Sequence, residues 1–287
     1  MELQNLAEEE MYFGNIVNYF YSHPMGKTLA FLIFKRIWWG YFYRQYKLSS
    51  YSLKTIDEDI QKYKINMDEY LIEDWKNYNH FFTRKFKPGK RSFNRDKETI
   101  CAFAEGKYLV YDNTRGSIEI KGETVSTEEL LGPRRSLSKE FSDSYLIVCR
   151  LCPIDYHRFH YPSEGRIVES FLVKGKYDSV NIFAQDFKKN ILFKNKRHVN
   201  ILETDHGKIG LVEIGGMSVA TIVNNHQNGH SFTKGEEKGR FEYGGSSLIL
   251  VLPKNKFEVD PTLVEYSKQN IECYFKLGSV IATAKPS

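Results

Sequence analysis

Two short segments of the chain hold residues that could do chemistry. The first is Gly244–Ser247, a Gly-Gly-Ser-Ser run toward the C-terminal end of the 287 residues. Glycine adopts backbone torsions that other residues avoid, so a serine after glycine can bring its hydroxyl close to the preceding carbonyl carbon. Self-cleavage of the chain needs that geometry. A turn between two strands is the simpler interpretation of the same four residues.

The second segment, Pro153–Pro162, places two histidines three positions apart between two prolines. Imidazole transfers protons near neutral pH, so His157 and His160 are candidates for acid–base chemistry. A histidine in such a segment is more often a packed or surface residue than a catalyst. The segment alone therefore leaves both interpretations open.

The cysteines do not indicate a disulfide scaffold or a metal centre. They are four and scattered, at Cys101, Cys149, Cys152 and Cys273, with no secretory signal before them. A reducing, cytoplasmic environment fits this usage best. Cys149 and Cys152 form a CxxC pair, but no second pair or nearby histidine completes a set of four zinc ligands. We expect these cysteines to pack in strands, and we predict no metal site.

The N-terminal part of the chain differs in composition from the rest. Aromatic side chains crowd Tyr12–Tyr51, and Lys35 and Arg36 interrupt the apolar run. The run is shorter than the ~20 residues of a membrane-spanning helix. Rings at headgroup depth and cations near anionic lipid would instead hold a helix on the bilayer surface. An amphipathic helix packed on its own domain is the alternative. Short helices are expected between Thr55 and Phe82.

After about residue 98 the sequence changes to short β-rich runs separated by glycines. The predicted strands are 107–111, 117–121, 145–151, 167–173, 209–214, 218–223 and 247–252. We therefore predict an α+β fold: a helical N-terminal membrane-facing segment (residues 1–90) on a mainly antiparallel β body (residues 91–287). No dinucleotide or phosphate-loop motif follows a strand, and no internal repeat is present.

Three motifs, taken in order, resemble the phosphatidylserine decarboxylase family. They are Phe81–Lys85, Pro153–His160 and Lys234–Ser247. Together with weaker similarities they cover the chain from about residue 75 to its end. The ordered set is specific, whereas no single motif would be. The resemblance implies a pyruvoyl-dependent enzyme that is made as one chain and converts phosphatidylserine to phosphatidylethanolamine.

The resemblance also implies how the cofactor arises. Ser246 would attack the carbonyl of Gly245 to form an ester, and elimination and hydrolysis would then leave a pyruvoyl group derived from Ser246. The chain would be cut between Gly245 and Ser246 into a large subunit (1–245) and a small one (246–287). No pyridoxal phosphate is required, because the pyruvoyl carbonyl serves as the electron sink.

Roles for three further residues follow from the same resemblance. His160 would be the base that activates Ser246, in a triad similar in logic to that of serine proteases. His157 matches the histidine assigned to decarboxylation. Glu105 stands where the family has the triad aspartate, and its extra methylene moves the carboxylate by roughly 1.5 Å. Either the side chain folds back and still holds His160, which we expect, or processing is slow and the precursor persists.

The expected partners are phosphatidylserine, an anionic membrane surface and the chain's own two cleaved subunits; a homo-oligomer is left open. The net charge is +5, from 41 Lys and Arg against 36 Asp and Glu. That bias suits an anionic surface but is too modest for nucleic acid. We expect a peripheral protein on the cytoplasmic face of the cell membrane.

Two alternative functions stay open. One is a noncatalytic lipid-surface protein that has lost processing through Glu105, and the other is a pyruvoyl enzyme for a soluble amino acid.

Overall fold

The computed structural model describes residues 2–3, 37–120, 123–132, 135–176, 191–216, 221–244 and 246–286. The helices are α1 (Ile37–Leu48), α2 (Lys54–Lys62), α3 (Tyr78–Phe82), α4 (Thr127–Leu131), α5 (Arg135–Glu140), α6 (Ile191–Lys194) and α7 (Pro261–Lys268), with 3-10 turns at Ser50–Leu53 and Met67–Glu69. The strands are β1 (Glu2–Leu3), β2 (Thr99–Cys101), β3 (Gly106–Thr114), β4 (Ser117–Ile120), β5 (Glu123–Ser126), β6 (Ser144–Leu151), β7 (Arg158–His160), β8 (Gly165–Val173), β9 (Arg197–Thr204), β10 (Gly207–Gly215), β11 (Ile222–Asn224), β12 (Ser231–Phe232), β13 (Glu237–Phe241), β14 (Ser246–Pro253), β15 (Phe257–Val259), β16 (Cys273–Phe275) and β17 (Val280–Ala284). The predicted α+β class is confirmed.

One large antiparallel sheet forms the body. Its strand order is β1-β16-β3-β6-β14-β10-β9-β8-β12, and β4 and β5 continue from β3. Strand β14 lies between β6 and β10, and all eight of its residues are buried. Leu248 and Leu250 belong to one apolar cluster and Ile249 and Val251 to another, as the period of two in a strand requires. Burial on both faces accounts for the continuous apolar run of this strand.

Two small antiparallel sheets cover one face of the body. Their orders are β11-β13-β7 and β15-β17-β2. Phe159 of β7, Phe241 of β13 and Phe257 of β15 lie in the same apolar cluster as Leu248. The Leu248 side of β14 is therefore the side that faces the small sheets.

A buried ion pair connects the body to the sheet that contains β7 and β13. Lys238 Nζ of β13 lies 2.8 Å from Glu213 Oε1 of β10, and the two side chains are 1% and 0% exposed. Lys238 Nζ also donates to Asn224 Oδ1 (2.8 Å), and Asn200 Nδ2 donates to Glu213 Oε2 (2.8 Å). Because buried charges are tolerated only when they are paired and hydrogen-bonded, this network specifies how the two sheets fit together.

Most of the strands predicted from the sequence are present. The predictions at 107–111, 145–151, 167–173, 209–214 and 247–252 lie within β3, β6, β8, β10 and β14, and β4 covers the described part of 117–121. Of 218–223, residues 218–220 lie outside the described residues, and β11 begins at Ile222. Cys149 lies in β6 and is fully buried, as strand packing predicted. The same prediction is wrong for Cys152, which follows the strand and is partly exposed.

The helices expected between Thr55 and Phe82 correspond to α2 and α3. Of the aromatic segment Tyr12–Tyr51, residues 12–36 lie outside the described residues, and α1 occupies much of the remainder. None of the helices in the described ranges is long and apolar enough to cross a membrane. The division of the chain into two domains at residue 90 stays a prediction.

The buried ion pair can be tested by removing its cation. In a Ser246→Ala background, which removes the predicted cleavage nucleophile, Lys238→Met should lower the free energy of unfolding by about 3–5 kcal/mol, because Glu213 is left buried without its cationic partner. Urea denaturation followed by circular dichroism measures the change. Lys208→Met is the control, since the Lys208–Glu140 pair (3.2 Å) is partly exposed and should contribute less than about 1 kcal/mol. Equal losses in the two variants would contradict the assignment.

Candidate active site

Ser246 is the first residue of the central strand. It pairs with Leu151 of β6 and Gly215 of β10, and its side chain is fully buried. By strand alternation it shares the side of Leu248, which faces the small sheets. Its Oγ has no hydrogen-bond partner among the residues that the structure describes. A buried hydroxyl without a partner is costly and is a candidate for chemistry.

The segment that leads from β13 to Ser246 is held by two other parts of the chain. The Phe241 amide donates to the His157 carbonyl (2.9 Å), and the Tyr243 amide donates to Asn79 Oδ1 of α3 (2.7 Å). Gly244 has a φ of +151°, which only glycine adopts readily. Gly245 lies outside the described residues. The histidine motif and α3 therefore both support the chain just before the predicted cleavage point.

His157 is fully buried, and its ring stacks on Phe82 with the centroids 3.7 Å apart. Its Nδ1 lies 2.9 Å from the Asp155 carbonyl, so Nδ1 donates and Nε2 is the unprotonated nitrogen. That Nε2 has no partner among the described residues. Burial lowers the pKa of His157 to about 3, so the ring is neutral at physiological pH. The arrangement offers a fixed lone pair that can accept a proton.

His160 has partners at both ring nitrogens. Nδ1 lies 2.9 Å from the Gly235 carbonyl, so it donates, and Nε2 accepts from the Tyr156 hydroxyl (3.2 Å). Burial lowers the pKa of His160. His160 is the last residue of β7, whereas His157 precedes that strand. In this structure neither nitrogen of His160 bonds to Ser246.

Glu105 is held by an arginine instead of by a histidine. Arg91 Nη2 donates to Glu105 Oε1 (2.5 Å), and Arg91 Nε donates to Oε2. The Leu277 amide adds a bond to Oε2 (3.0 Å). The expected hydrogen bond between Glu105 and His160 is therefore not formed here, because the guanidinium binds both carboxylate oxygens. A role for Glu105 in processing rests on the resemblance alone.

Two residues beside the histidines were not singled out from the sequence. Asp155 accepts a hydrogen bond from the Cys152 amide (2.7 Å), and burial raises the pKa of its carboxyl to about 7. A carboxyl that titrates near neutral pH within the histidine motif is a candidate for proton transfer. Tyr156 binds His160 Nε2 directly. Both belong to the Pro153–His160 motif. Their position close to the two histidines in the sequence is the signal that could have identified them.

Two of the three sequence motifs pack on each other. Arg84 is almost fully buried, and its Nη2 donates to the Ile154 carbonyl (2.5 Å). In the reverse direction, Arg158 Nε donates to the Thr83 carbonyl (2.7 Å). The two segments thus satisfy each other's backbone carbonyls, and together they form the support for His157.

Helix α1 contacts the segment before Ser246. Arg44 Nη2 donates to Glu242 Oε2 (2.7 Å), and the pair is about one fifth exposed, at 23% and 20%. The rings of Tyr43 and Tyr243 meet edge to face with centroids 5.7 Å apart. Lys47 Nζ lies 5.1 Å from the centroid of the Tyr243 ring. A movement of α1 would therefore be transmitted to residues 242–243.

The family model described as phosphatidylserine decarboxylase matches residues 78–282, a range that contains all three motifs and every candidate residue. The chain belongs to the phosphatidylserine decarboxylase family. This confirms the family predicted from the sequence. His157, His160 and Ser246, whose contacts are described above, therefore lie in the motifs of a phosphatidylserine decarboxylase.

Similar proteins extend the match to nearly the whole chain. A phosphatidylserine decarboxylase proenzyme of Clostridium botulinum (strain Alaska E43 / Type E3) is 34% identical over 282 residues, covering 96% of this chain and 95% of that protein. A proenzyme of the same name from Ruminiclostridium cellulolyticum is 33% identical over 278 residues, covering 95% and 92%. One from Fusobacterium nucleatum is 34% identical over 274 residues, covering 94% and 91%.

The contact of α1 with residues 242–243 predicts a charge-swap effect. Arg44→Glu and Glu242→Arg each place like charges together and should slow self-cleavage several-fold, because the segment before Ser246 loses its support. The double variant restores an opposite pair and should recover most of the rate. A time course of freshly translated precursor on denaturing gels measures it. A double variant no faster than either single one would contradict the role of the pair.

The low pKa of His157 predicts part of the acid sensitivity of the fold. The unfolded histidine titrates near 6.5 and the folded one near 3, so between these values the unfolded state binds more protons. The free energy of unfolding therefore falls as the pH is lowered through this window, by up to about 1.4 kcal/mol per pH unit. In a Ser246→Ala background, His157→Phe removes the contribution of His157 to this pH dependence and keeps a ring against Phe82.

Urea denaturation at pH 6, 5 and 4 compares the two proteins. The His157→Phe variant should lose less stability on acidification than its parent. Asp155 has a raised pKa and contributes in the opposite sense, with stability that is gained as the pH falls below about 7. Since Asp155 is present in both proteins, the difference between the two slopes reports His157. Equal slopes would contradict a neutral, buried imidazole.

Proposed function

We propose that this chain is a self-processing, pyruvoyl-dependent phosphatidylserine decarboxylase that works at a membrane surface. Ser246 supports the proposal most: it lies in the Lys234–Ser247 motif, is fully buried, and has an Oγ that lacks a hydrogen-bond partner in the described part of the chain. Phosphatidylserine is the substrate, and phosphatidylethanolamine and CO2 are the products.

Self-cleavage begins at the Ser246 hydroxyl. Its oxygen attacks the Gly245 carbonyl, the Gly245–Ser246 amide breaks, and an ester links the Gly245 carbonyl to Ser246 Oγ. Loss of the Ser246 α-proton then releases the Gly245 carboxylate, and hydrolysis of the resulting enamine releases ammonia. His160 serves as the base for the first step. Because its Nε2 accepts from Tyr156 in the uncut chain, that bond must be given up before the imidazole can take the serine proton.

The surroundings of Ser246 fit a pyruvoyl group formed at that position. The group would be buried at the start of β14, on the side of the small sheets, and near the segment that His157 supports. When present, it supplies an electron sink for the loss of CO2 from the serine headgroup. His157 accepts a proton at Nε2 and returns it, and its Nδ1–H bond to the Asp155 carbonyl keeps the ring in the required tautomer.

A lipid substrate also requires contact with a bilayer. The N-terminal helical part exposes large aromatic rings, with Phe42 of α1 60% exposed and Tyr51 79% exposed. Rings of this kind favour the headgroup region, and the positive net charge favours anionic lipid. We assign the protein to the cytoplasmic face of the membrane as a peripheral protein, with α1 on the lipid side.

The second candidate is a lipid-surface protein of the same fold that is not processed. The bidentate contact of Arg91 with Glu105 favours it, because the residue at the triad acid position is bound away from His160. This candidate predicts an intact chain in freshly made protein. The two candidates therefore differ in a single mass measurement.

Intact-protein mass spectrometry of denatured wild-type protein tests the proposal. We expect two fragments that split at Gly245/Ser246, the smaller with an N-terminal pyruvoyl mass, and a single mass near 33.6 kDa for Ser246→Ala. His160→Asn should leave most of the chain uncut. His157→Asn should still cut but lower the release of CO2 from phosphatidylserine by about 100-fold or more.

Three outcomes would change the assignment. An uncut wild-type chain would favour the unprocessed lipid-surface protein. A His157→Asn variant that fails to cut while His160→Asn cuts normally would reverse the two histidine roles, as the unpaired Nε2 of His157 allows. A cut protein that releases CO2 from free serine and not from the lipid would indicate that the substrate is a soluble amino acid.

A further inference from the structure

Two histidines and a glutamate converge in the connections between β11, β12 and β13. Glu236 Oε1 lies 2.7 Å from His230 Nε2 and 3.3 Å from His226 Nε2. One ligand atom from each residue lies within 4.8 Å of the other two, and the three side chains are 21–33% exposed. Imidazole nitrogen and carboxylate oxygen are ligands that zinc binds in proteins.

Neighbouring groups already orient these ligands. The Tyr161 hydroxyl lies 3.2 Å from His226 Nδ1, which directs Nε2 of that ring toward Glu236. The Thr233 amide donates to Glu236 Oε2 (3.1 Å), which leaves Oε1 for the histidines. Hydrogen bonds of this kind to the far atoms of metal ligands are typical of metal sites, where they fix the ring orientation.

We propose that His226, His230 and Glu236 bind a divalent cation of the zinc class, with a fourth position open to water. Ligands at about 2.0–2.2 Å in a tetrahedron are about 3.3 Å from one another, and the distance from Glu236 Oε1 to His226 Nε2 already has this value. The imidazole rings are stacked 3.7 Å apart and nearly parallel. Binding must tilt them so that both Nε2 lone pairs meet at the ion, and it releases any proton held there.

The turn that presents Glu236 also contacts the processing histidine. Gly235 accepts the hydrogen bond from His160 Nδ1, and the Tyr161 amide donates to the Glu236 carbonyl (3.0 Å). A cation bound here would tie this turn to the loop that bears His226. The site thus lies beside the proposed base, and its existence does not depend on whether Ser246 is cut.

Calorimetric titration of untagged, chelator-treated full-length protein with zinc chloride tests the site. We expect saturable binding of one equivalent, and the His226→Ala/His230→Ala double variant should bind at least about 100-fold more weakly. Tyr161→Phe keeps the packed ring and should weaken binding about tenfold through loss of the bond to His226. Circular dichroism of each variant checks that it is folded.

His80→Ala is the matched control. His80 Nε2 lies 2.8 Å from Glu73 Oε2 in a partly exposed pair that lacks a second histidine in the described part of the chain, so zinc affinity should be unchanged. Absence of saturable binding by the wild-type protein would overturn the proposal. So would unchanged binding by the folded double variant, or loss of binding in Cys152→Ser, which would assign the ion to the partly exposed thiol.

Discussion

Lys238 and Glu213 carry opposite charges at the boundary between the body and the small sheet, with almost no exposure to solvent. Lys238 lies in β13, which pairs with β7 and continues toward Ser246; Glu213 lies in β10, which borders the same serine. A shift of one sheet along the other would separate two buried charges, at a cost of several kcal/mol. The positions of the histidines relative to the central strand therefore depend on this pair.

The fold class and the principal strands could be predicted because their residues alternate or form continuous apolar runs. Strand β9 could not, since its inward positions include Asn200, whose amide is satisfied by Glu213 of the neighbouring strand. Strand β13 could not be predicted for the same reason, because its Lys238 is also buried. Polar residues that face inward resemble loop residues in a sequence, and only the tertiary partner makes them compatible with a core.

For the candidate site, the sequence indicates which residues are candidates, and their roles stay predictions; it does not indicate their contacts. Ordered motifs identified Ser246 and the two histidines. The partner of Glu105 proved to be Arg91, which follows the Pro-Gly turn and reaches the carboxylate only through the packing of the N-terminal segment. The cluster at His226 was likewise not recognised, because Glu236 was considered only as part of a motif. Spacing indicates which residues are candidates, whereas their hydrogen-bond partners are determined by the fold.

Strand β14 opens the proposed small subunit and is also the middle strand of the body, with a partner on each edge and a core on each face. A chain cut before Ser246 can no longer refold as one molecule, since this strand would have to find its place from solution. Cleavage therefore has to follow folding. The mature protein would persist by the slowness of its unfolding, as proteins do whose lifetime is kinetic, and each molecule could be assembled only once.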